Sequence, residues 1–164
     1  MGFRVVVGAD IAGVEYKDLI KADLEADERV DEVIDVGVAV GEDIDYPHVG
    51  VKAAKMVADG TVDRAVLVCG TGMGMAISAN KVPGVRACTA HDSFSVERLV
   101  LSNDAQALCL GARVIGPYLA RRLVKEFFGY TFDASSASAP KVAAITEYES
   151  RLGSDNSPSA PTSC

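Results

Sequence analysis

The sequence predicts an α/β fold, with about five strands in a parallel sheet and helices on both of its faces. Three observations carry this prediction. Short apolar runs recur along the chain, glycine and turn residues punctuate them, and segments with helical spacing of apolar residues lie between them. FRVVVG (3–8) is a buried strand ending at glycine, and Tyr16, Leu19, Ile20 and Leu24 follow with helical spacing. VDEVIDVG (30–37) holds a weaker strand bounded by Gly37. After the acidic loop GEDIDYPH (41–48), a helix carries Val49, Ala53, Met56 and Val57 on one face and stops at Asp59-Gly60. RAVLVC (64–69) is the strongest strand, and VRACTA (85–90) follows the Pro83-Gly84 turn. Asp92 or Ser93 caps a helix through Leu101, with Val96, Leu99 and Val100 inward. ALCL (107–110) is the last strand. Pro117 suits the first turn of a helix whose face is Leu119, Leu123, Val124, Phe127 and Phe128. Val142, Ile145, Tyr148 and Leu152 mark a final helix, and the polar end SDNSPSAPTSC reads as disordered. The expected organisation is one domain over residues 1–150 and a polar tail over 151–164.

Composition narrows the function classes. A chain of 164 residues has the size of one domain with one substantial core. Its formal charge of −7 argues against nucleic acid or an anionic membrane surface as the main partner. A local cluster of cations can still hold a phosphate. Four cysteines, Cys69, Cys88, Cys109 and Cys164, follow no metal or disulfide spacing and read as reduced thiols, as expected in the cytoplasm. MGFRVVVGAD is too short an apolar run for a signal peptide, Val6 breaks the myristoylation pattern, and no run approaches a membrane span.

In open parallel sheets, ligands bind beyond the carboxyl ends of the strands. That rule groups GADIAG (8–13), CGTGMG (69–74) and AHDS (90–93). The glycine loop is neither of the common nucleotide fingerprints. Residue 75 is Met where a dinucleotide loop starting at Gly70 needs glycine, and no Gly-Lys-Ser/Thr closes a phosphate loop. It is then either a turn that uses glycine for positive φ or a nest of backbone N–H groups converging on an anion such as an enediolate or phosphate.

Cys69 ends its strand at the ligand edge, beside donors that favour a thiolate, which could remove a proton from a carbon next to a carbonyl. A core thiol is the alternative, and it is the expectation for Cys88 and Cys109. Asp10, in the corresponding place after the first strand, either caps the following helix or binds substrate. His48 and His91 lie in loops, where a surface or hydrogen-bonded role is the commoner one. Arg113, after the last strand, either reaches an anion or stays solvated.

The run LVCGTGMGMAISANKVPGVRA, with YPH upstream and SNDAQALCLGARVIG downstream, resembles the ribose-5-phosphate isomerase B and galactose-6-phosphate isomerase family from Arg4 to about Glu149. The resemblance implies a Rossmann-like three-layer α/β/α sandwich with a five-stranded parallel sheet. It also implies a homodimer with shared active sites, no metal and no cofactor, and interconversion of aldose and ketose phosphates through a cis-enediolate. On the matching positions it makes Cys69 the general base and Thr71 its helper on the hydroxyls, with the N–H groups of Gly70, Thr71, Gly72, Met73 and Gly74 as the enediolate nest. Asp10, Tyr46 and Asn103 become hydroxyl contacts and Arg113 a phosphate contact, with His48, His91 and Lys141 as further candidate contacts. One branch of the family carries glutamate where this chain has Met75, which puts this chain in the thiol branch.

Three places depart from the family pattern. Its first loop has histidine where this chain has Ile11, and its H-N-D motif is Ser102-Asn103-Asp104 here, which removes the histidine credited with ring opening. Arginines expected near residues 136–141 are replaced by serines and Lys141. A pentose 5-phosphate closes its ring through O4, whereas a tetrose 4-phosphate has O4 blocked and stays open. The sequence therefore predicts a four-carbon sugar phosphate, such as the erythrose/erythrulose 4-phosphate pair, as a better substrate than ribose 5-phosphate. Two other readings stay open: ring opening by His91 from a different loop, and a non-catalytic sugar-phosphate-binding protein on the same fold.

Overall fold

The structure is a computed structural model that describes residues 2–155, with side chains through Arg151. The elements run β1 (Phe3–Ala9), α1 (Val14–Glu25), β2 (Val30–Asp35), α2 (Tyr46–Ala58), β3 (Arg64–Cys69), α3 (Met73–Ala79), β4 (Ala87–Thr89), α4 (Ser93–Asn103), β5 (Ala107–Gly111), α5 (Pro117–Phe127) and α6 (Ala139–Asp155). The five strands form one parallel sheet in the order β2-β1-β3-β5-β4. α6 carries the helix through residues 151–155, and the rest of the expected tail lies outside the described residues.

Alternation along the strands splits the core into two layers, because successive side chains of a strand point to opposite faces. Val5, Val7, Val66, Val68, Leu108 and Leu110 pack with α1, α4 and α5. Val6, Ala65, Leu67, Cys69, Ala107 and Cys109 pack with α2 and α3. The sheet is thus buried on both faces, and α6 packs outside α4.

Three details differ from the sequence expectation, each for a physical reason. The inward stripe of α1 holds Val14, Lys17, Ile20 and Leu24, while Leu19 stays partly exposed. A lysine occupies that stripe because its ammonium meets Asp35 at 2.7 Å and Asp18 at 3.1 Å. In α5 the stripe is Ala120, Leu123, Val124 and Phe127, leaving Leu119 partly exposed at its margin. β4 is confined to Ala87–Thr89, shorter than 85–90, because Val85 closes a turn onto Val82 and the chain leaves the sheet edge after Thr89. The short α3 has Met75, Ala76, Ser78 and Ala79 buried, so it carries little of the amphipathic stripe that periodicity could reveal.

Arg64, at the start of β3, is buried among Phe3, Phe127 and Phe128 and donates to the carbonyls of Phe127 and Tyr130. Burial pushes its guanidinium down to about 10. It ties the end of α5 to the sheet at the edge opposite the ligand side.

Candidate active site

β1 and β3 are neighbours, with Ala9 paired to Val68, so the residues that follow each strand emerge side by side. The chain turns to opposite sides of the sheet here, which opens a crevice at the carboxyl ends. The N–H of Asp10 donates to the Val68 carbonyl at 3.2 Å. Its carboxylate Oδ1 accepts the N–H of Ala12 at 3.0 Å. That bond closes the turn before α1 and does not cap the helix, whose N-cap is Gly13 without a side-chain bond, so the capping expectation is not met; Oδ2 makes no bond to the described residues. Ile11 projects from the same turn, exposed.

Cys69 is nearly covered, 4% exposed, and the N–H of Gly72 points at its sulfur at 3.0 Å. That bond requires the chain to fold back within three residues, which it does through Gly72 at φ +80°. A side chain at Gly72 would also meet the Leu110 backbone at 3.0 Å, so conformation and space both demand glycine there. Among the described residues, the N–H groups of Gly70, Thr71 and Gly74 have no acceptor, whereas Met73 N–H leans on the Thr71 hydroxyl oxygen at 3.4 Å. Thr71 and Met73 are exposed. Of the two expected core thiols, Cys109 is wholly buried, and burial pushes its thiol far above the ordinary value, whereas Cys88 is exposed on the edge strand β4 and is not a core residue. Met75 is fully buried against α2, pointing into the core.

Tyr46 opens α2 and lays its ring on Gly74, where a β-carbon would sit 2.4 Å from Cε2. Arg113 lies over Gly70, with its side-chain carbons and Nε 3.5 Å from where a β-carbon would be, and its own N–H donates to the Gly70 carbonyl at 3.0 Å. Its exposed guanidinium has no partner among the described residues. The structure therefore brings Asp10, Tyr46, Cys69, Gly70, Thr71, Gly72, Met73, Gly74 and Arg113 together.

It does not bring in the others within one chain. His48 is exposed on the outer side of α2, bordering a groove with Lys52 and Lys55, turned away from the Tyr46 and Gly50 side that faces α3. Asn103 ends α4 and donates to the Arg98 carbonyl at 3.1 Å, close to Arg86 and the start of β4. That end of the sheet is about 13 Å from Gly111 along β5, at roughly 3.3 Å per residue. Ser102 stands beside Arg98 at the same end. Lys141 is exposed near the start of α6.

His91 is half-buried behind the loop, and its Nε2 accepts the N–H of Gly111 at 2.9 Å. Burial holds the imidazole below the ordinary histidine value, and the Asp92 carboxylate acts the other way. Gly111 itself was missed by sequence reasoning, and a glycine ending an apolar strand was its only signal. A β-carbon there would meet the Thr71 backbone at 2.8 Å, so the loop rests directly on it. No group of three or more His, Cys, Asp or Glu side chains among the described residues is placed to hold a metal ion.

Known proteins resemble this chain in sequence and fold. The chain is 57% identical over 150 residues to D-erythrulose-4-phosphate isomerase 2 of Mycolicibacterium smegmatis, covering 91% of this chain and 99% of that one. It is 38% identical over 148 residues to ribose-5-phosphate isomerase B of Escherichia coli, covering 90% and 97%. The structure of Clostridium thermocellum ribose-5-phosphate isomerase B superposes with a TM-score of 0.86 at 37% identity, covering 91% and 99%. Residues 5–145 match the family described as Ribose/Galactose Isomerase, and with that match across the sheet and the cysteine–glycine loop, this chain belongs to that family.

Proposed function

We propose that this enzyme interconverts the aldose and ketose forms of a small open-chain sugar phosphate, four-carbon in preference to five, with Cys69 as the base. The observation that carries the reading is the Cys69 sulfur held by the Gly72 N–H, beside a loop in which the N–H groups of Gly70, Thr71 and Gly74 have no acceptor among the described residues. In this mechanism the Cys69 thiolate takes the proton from the carbon beside the carbonyl. The C–H pair becomes the C=C bond of an enediolate, and the carbonyl oxygen takes the negative charge. The thiol then returns the proton to the adjacent carbon, while Thr71 passes a proton between the two oxygens, so no atom is gained or lost. Fixed N–H groups aimed at the developing oxyanion stabilise it without reorganisation. Asp10 and Tyr46 hold substrate hydroxyls, and the Arg113 guanidinium, without a partner among the described residues, takes the phosphate.

Two observations support the four-carbon substrate. Ile11 and Ser102 offer no imidazole for opening a ring, and the Nε2 of His91 is already engaged by Gly111. Identity is also higher to the erythrulose-4-phosphate enzyme than to the Escherichia coli ribose-5-phosphate enzyme. A homodimer with shared sites fits the placement of Asn103 and Lys141 away from Cys69, because a second copy must supply them if they touch substrate. Exposed Ile11, Met73, Ile77 and Phe94 provide apolar surface for such a contact. No helix among the described residues is long and apolar enough to cross a membrane, and Cys69, Cys88 and Cys109 are free, which supports a cytoplasmic enzyme.

The test compares kcat/KM for erythrulose 4-phosphate and ribose 5-phosphate, with solvent deuterium incorporation at the carbon next to the carbonyl. The tetrose should win, and Cys69→Ser should lose about 10²–10⁴-fold in kcat, because an alcohol supplies almost no anion near neutral pH. A clear pentose preference would refute the ring-opening argument, and undiminished exchange in Cys69→Ser would refute the base.

A further inference from the structure

We propose that His91 is a positioning residue for the glycine loop: its Nε2 holds the backbone N–H of Gly111 and so fixes the strand end on which residues 69–72 rest. The proposal builds on the reading of Cys69 as the base.

Successive N–H groups of a strand point to alternate sides. In β5, Ala107 N–H bonds the Arg86 carbonyl on the β4 side, and Ala112 N–H bonds the Cys69 carbonyl on the β3 side at 2.9 Å. Gly111 has the parity of Ala107, so its N–H faces β4. There β4 has already ended at Thr89, and no carbonyl continues the ladder. The imidazole of His91 takes the vacant place at 2.9 Å. One side chain thus extends the sheet by one hydrogen bond, at the residue paired in register with Cys69.

The consequence reaches the loop through contact. Gly111 lies under the Thr71 backbone, and Gly72 lies over Leu110, both too close for a β-carbon to fit without displacement. On the other side, β5 and its continuation hold the carbonyls of Cys69 and Gly70 through Ala112 and Arg113. If the Gly111 N–H loses its acceptor, the strand end loses its bond on the β4 side and the donor is left unsatisfied in a half-buried place. The loop would keep its fold and lose its register with the sulfur. A misplacement of about 1 Å is enough to cost up to about 10²-fold in rate. Accepting a hydrogen bond at Nε2 requires the neutral ring with its proton on Nδ1, so this lone pair is not available to a substrate.

The experiment uses the full-length protein with three variants. His91→Gln places an amide oxygen near the Nε2 position, His91→Asn places one near Nδ1, and His91→Phe keeps the ring without an acceptor. Readouts are kcat and KM on erythrulose 4-phosphate, the thermal midpoint, and hydrogen exchange of the Gly111 amide. The expected result is that Gln keeps kcat within about threefold and preserves Gly111 protection. Asn and Phe should lose about tenfold or more in kcat with little change in KM, and their Gly111 amides should exchange faster. Rescue by Asn but not Gln, or a Phe variant with wild-type kcat, would overturn the proposal. If Cys69→Ser keeps full activity, the base reading fails, while the Gly111 exchange comparison still decides whether His91 holds the strand end.

Discussion

Gly74→Ala tests how closely Tyr46 is held over the loop. A β-carbon at residue 74 would lie 2.4 Å from Cε2, 2.7 Å from Cζ and 2.8 Å from Cδ2 of the ring, whereas ordinary contact begins at 3.4 Å. The ring must therefore retreat by about 1 Å, and it has room to do so because Tyr46 is 41% exposed. The backbone has no objection: Gly74 is a helical residue without positive φ, and alanine gains up to about 1 kcal/mol in helix propensity. Stability should stay near that of wild type, while the Tyr46 hydroxyl moves by about the displacement that costs up to 10²-fold in kcat/KM. The assay is steady-state isomerisation by Gly74→Ala, Tyr46→Ala and the double variant, alongside thermal melts. The two losses should be strongly non-additive, with Gly74→Ala adding little once the ring is gone. Additive losses, or a Gly74→Ala enzyme with wild-type kcat/KM, would refute the claim that this glycine exists to seat the tyrosine.

Two further expectations concern stability. Lys17→Met leaves Asp35 in the α1–β2 seam without its 2.7 Å partner, and Lys21 at 3.5 Å compensates only partly. The cost is about 3 kcal/mol, at the lower end for a broken buried pair, and lowers the melting midpoint by roughly 6–12 °C; a melt unchanged from wild type would contradict it. Asp27 is held down to about 2, against an ordinary 3.8, first by its side-chain hydrogen bond from Arg29. A depressed carboxylate stabilises the fold above its unfolded value, and that contribution is lost as pH falls from about 3.8 through about 2. Denaturant unfolding between pH 5 and pH 2 should therefore fall less steeply for Arg29→Ala than for wild type.

The parallel sheet was legible in the sequence because strands buried on both faces must be short apolar runs, and FRVVVG, RAVLVC and ALCL are such runs. The loop was legible for a related reason: alternating glycines after a strand leave backbone N–H groups uncovered, and Cys69 stands at the entrance of that run. Lys17 was less legible, because a lysine on an apolar stripe reads as a break in the pattern until its carboxylate partner on β2 is known. His48 is a different case. A loop position made a surface role its commoner reading, with substrate contact a further candidate under the resemblance; the structure puts it instead in the first turn of α2, exposed and two positions from Tyr46 on the other side of the helix.

The sequence by itself determined the chemistry on offer: a thiol, a stripped backbone, an arginine and an aspartate, each at or just past the end of an apolar strand. Local patterns of 2 and 3.6 residues suffice for that, because they record which faces are buried. Only the tertiary structure decided which of these groups meet. Strand order puts β1 beside β3 and so joins Asp10 to Cys69, and it leaves Asn103 at the far end of the sheet. The early end of β4 hands the Gly111 N–H to His91, a role that exists only because a neighbouring strand is three residues long. Pairing across a sheet is a contact between residues distant in sequence, and no periodicity within one segment encodes it.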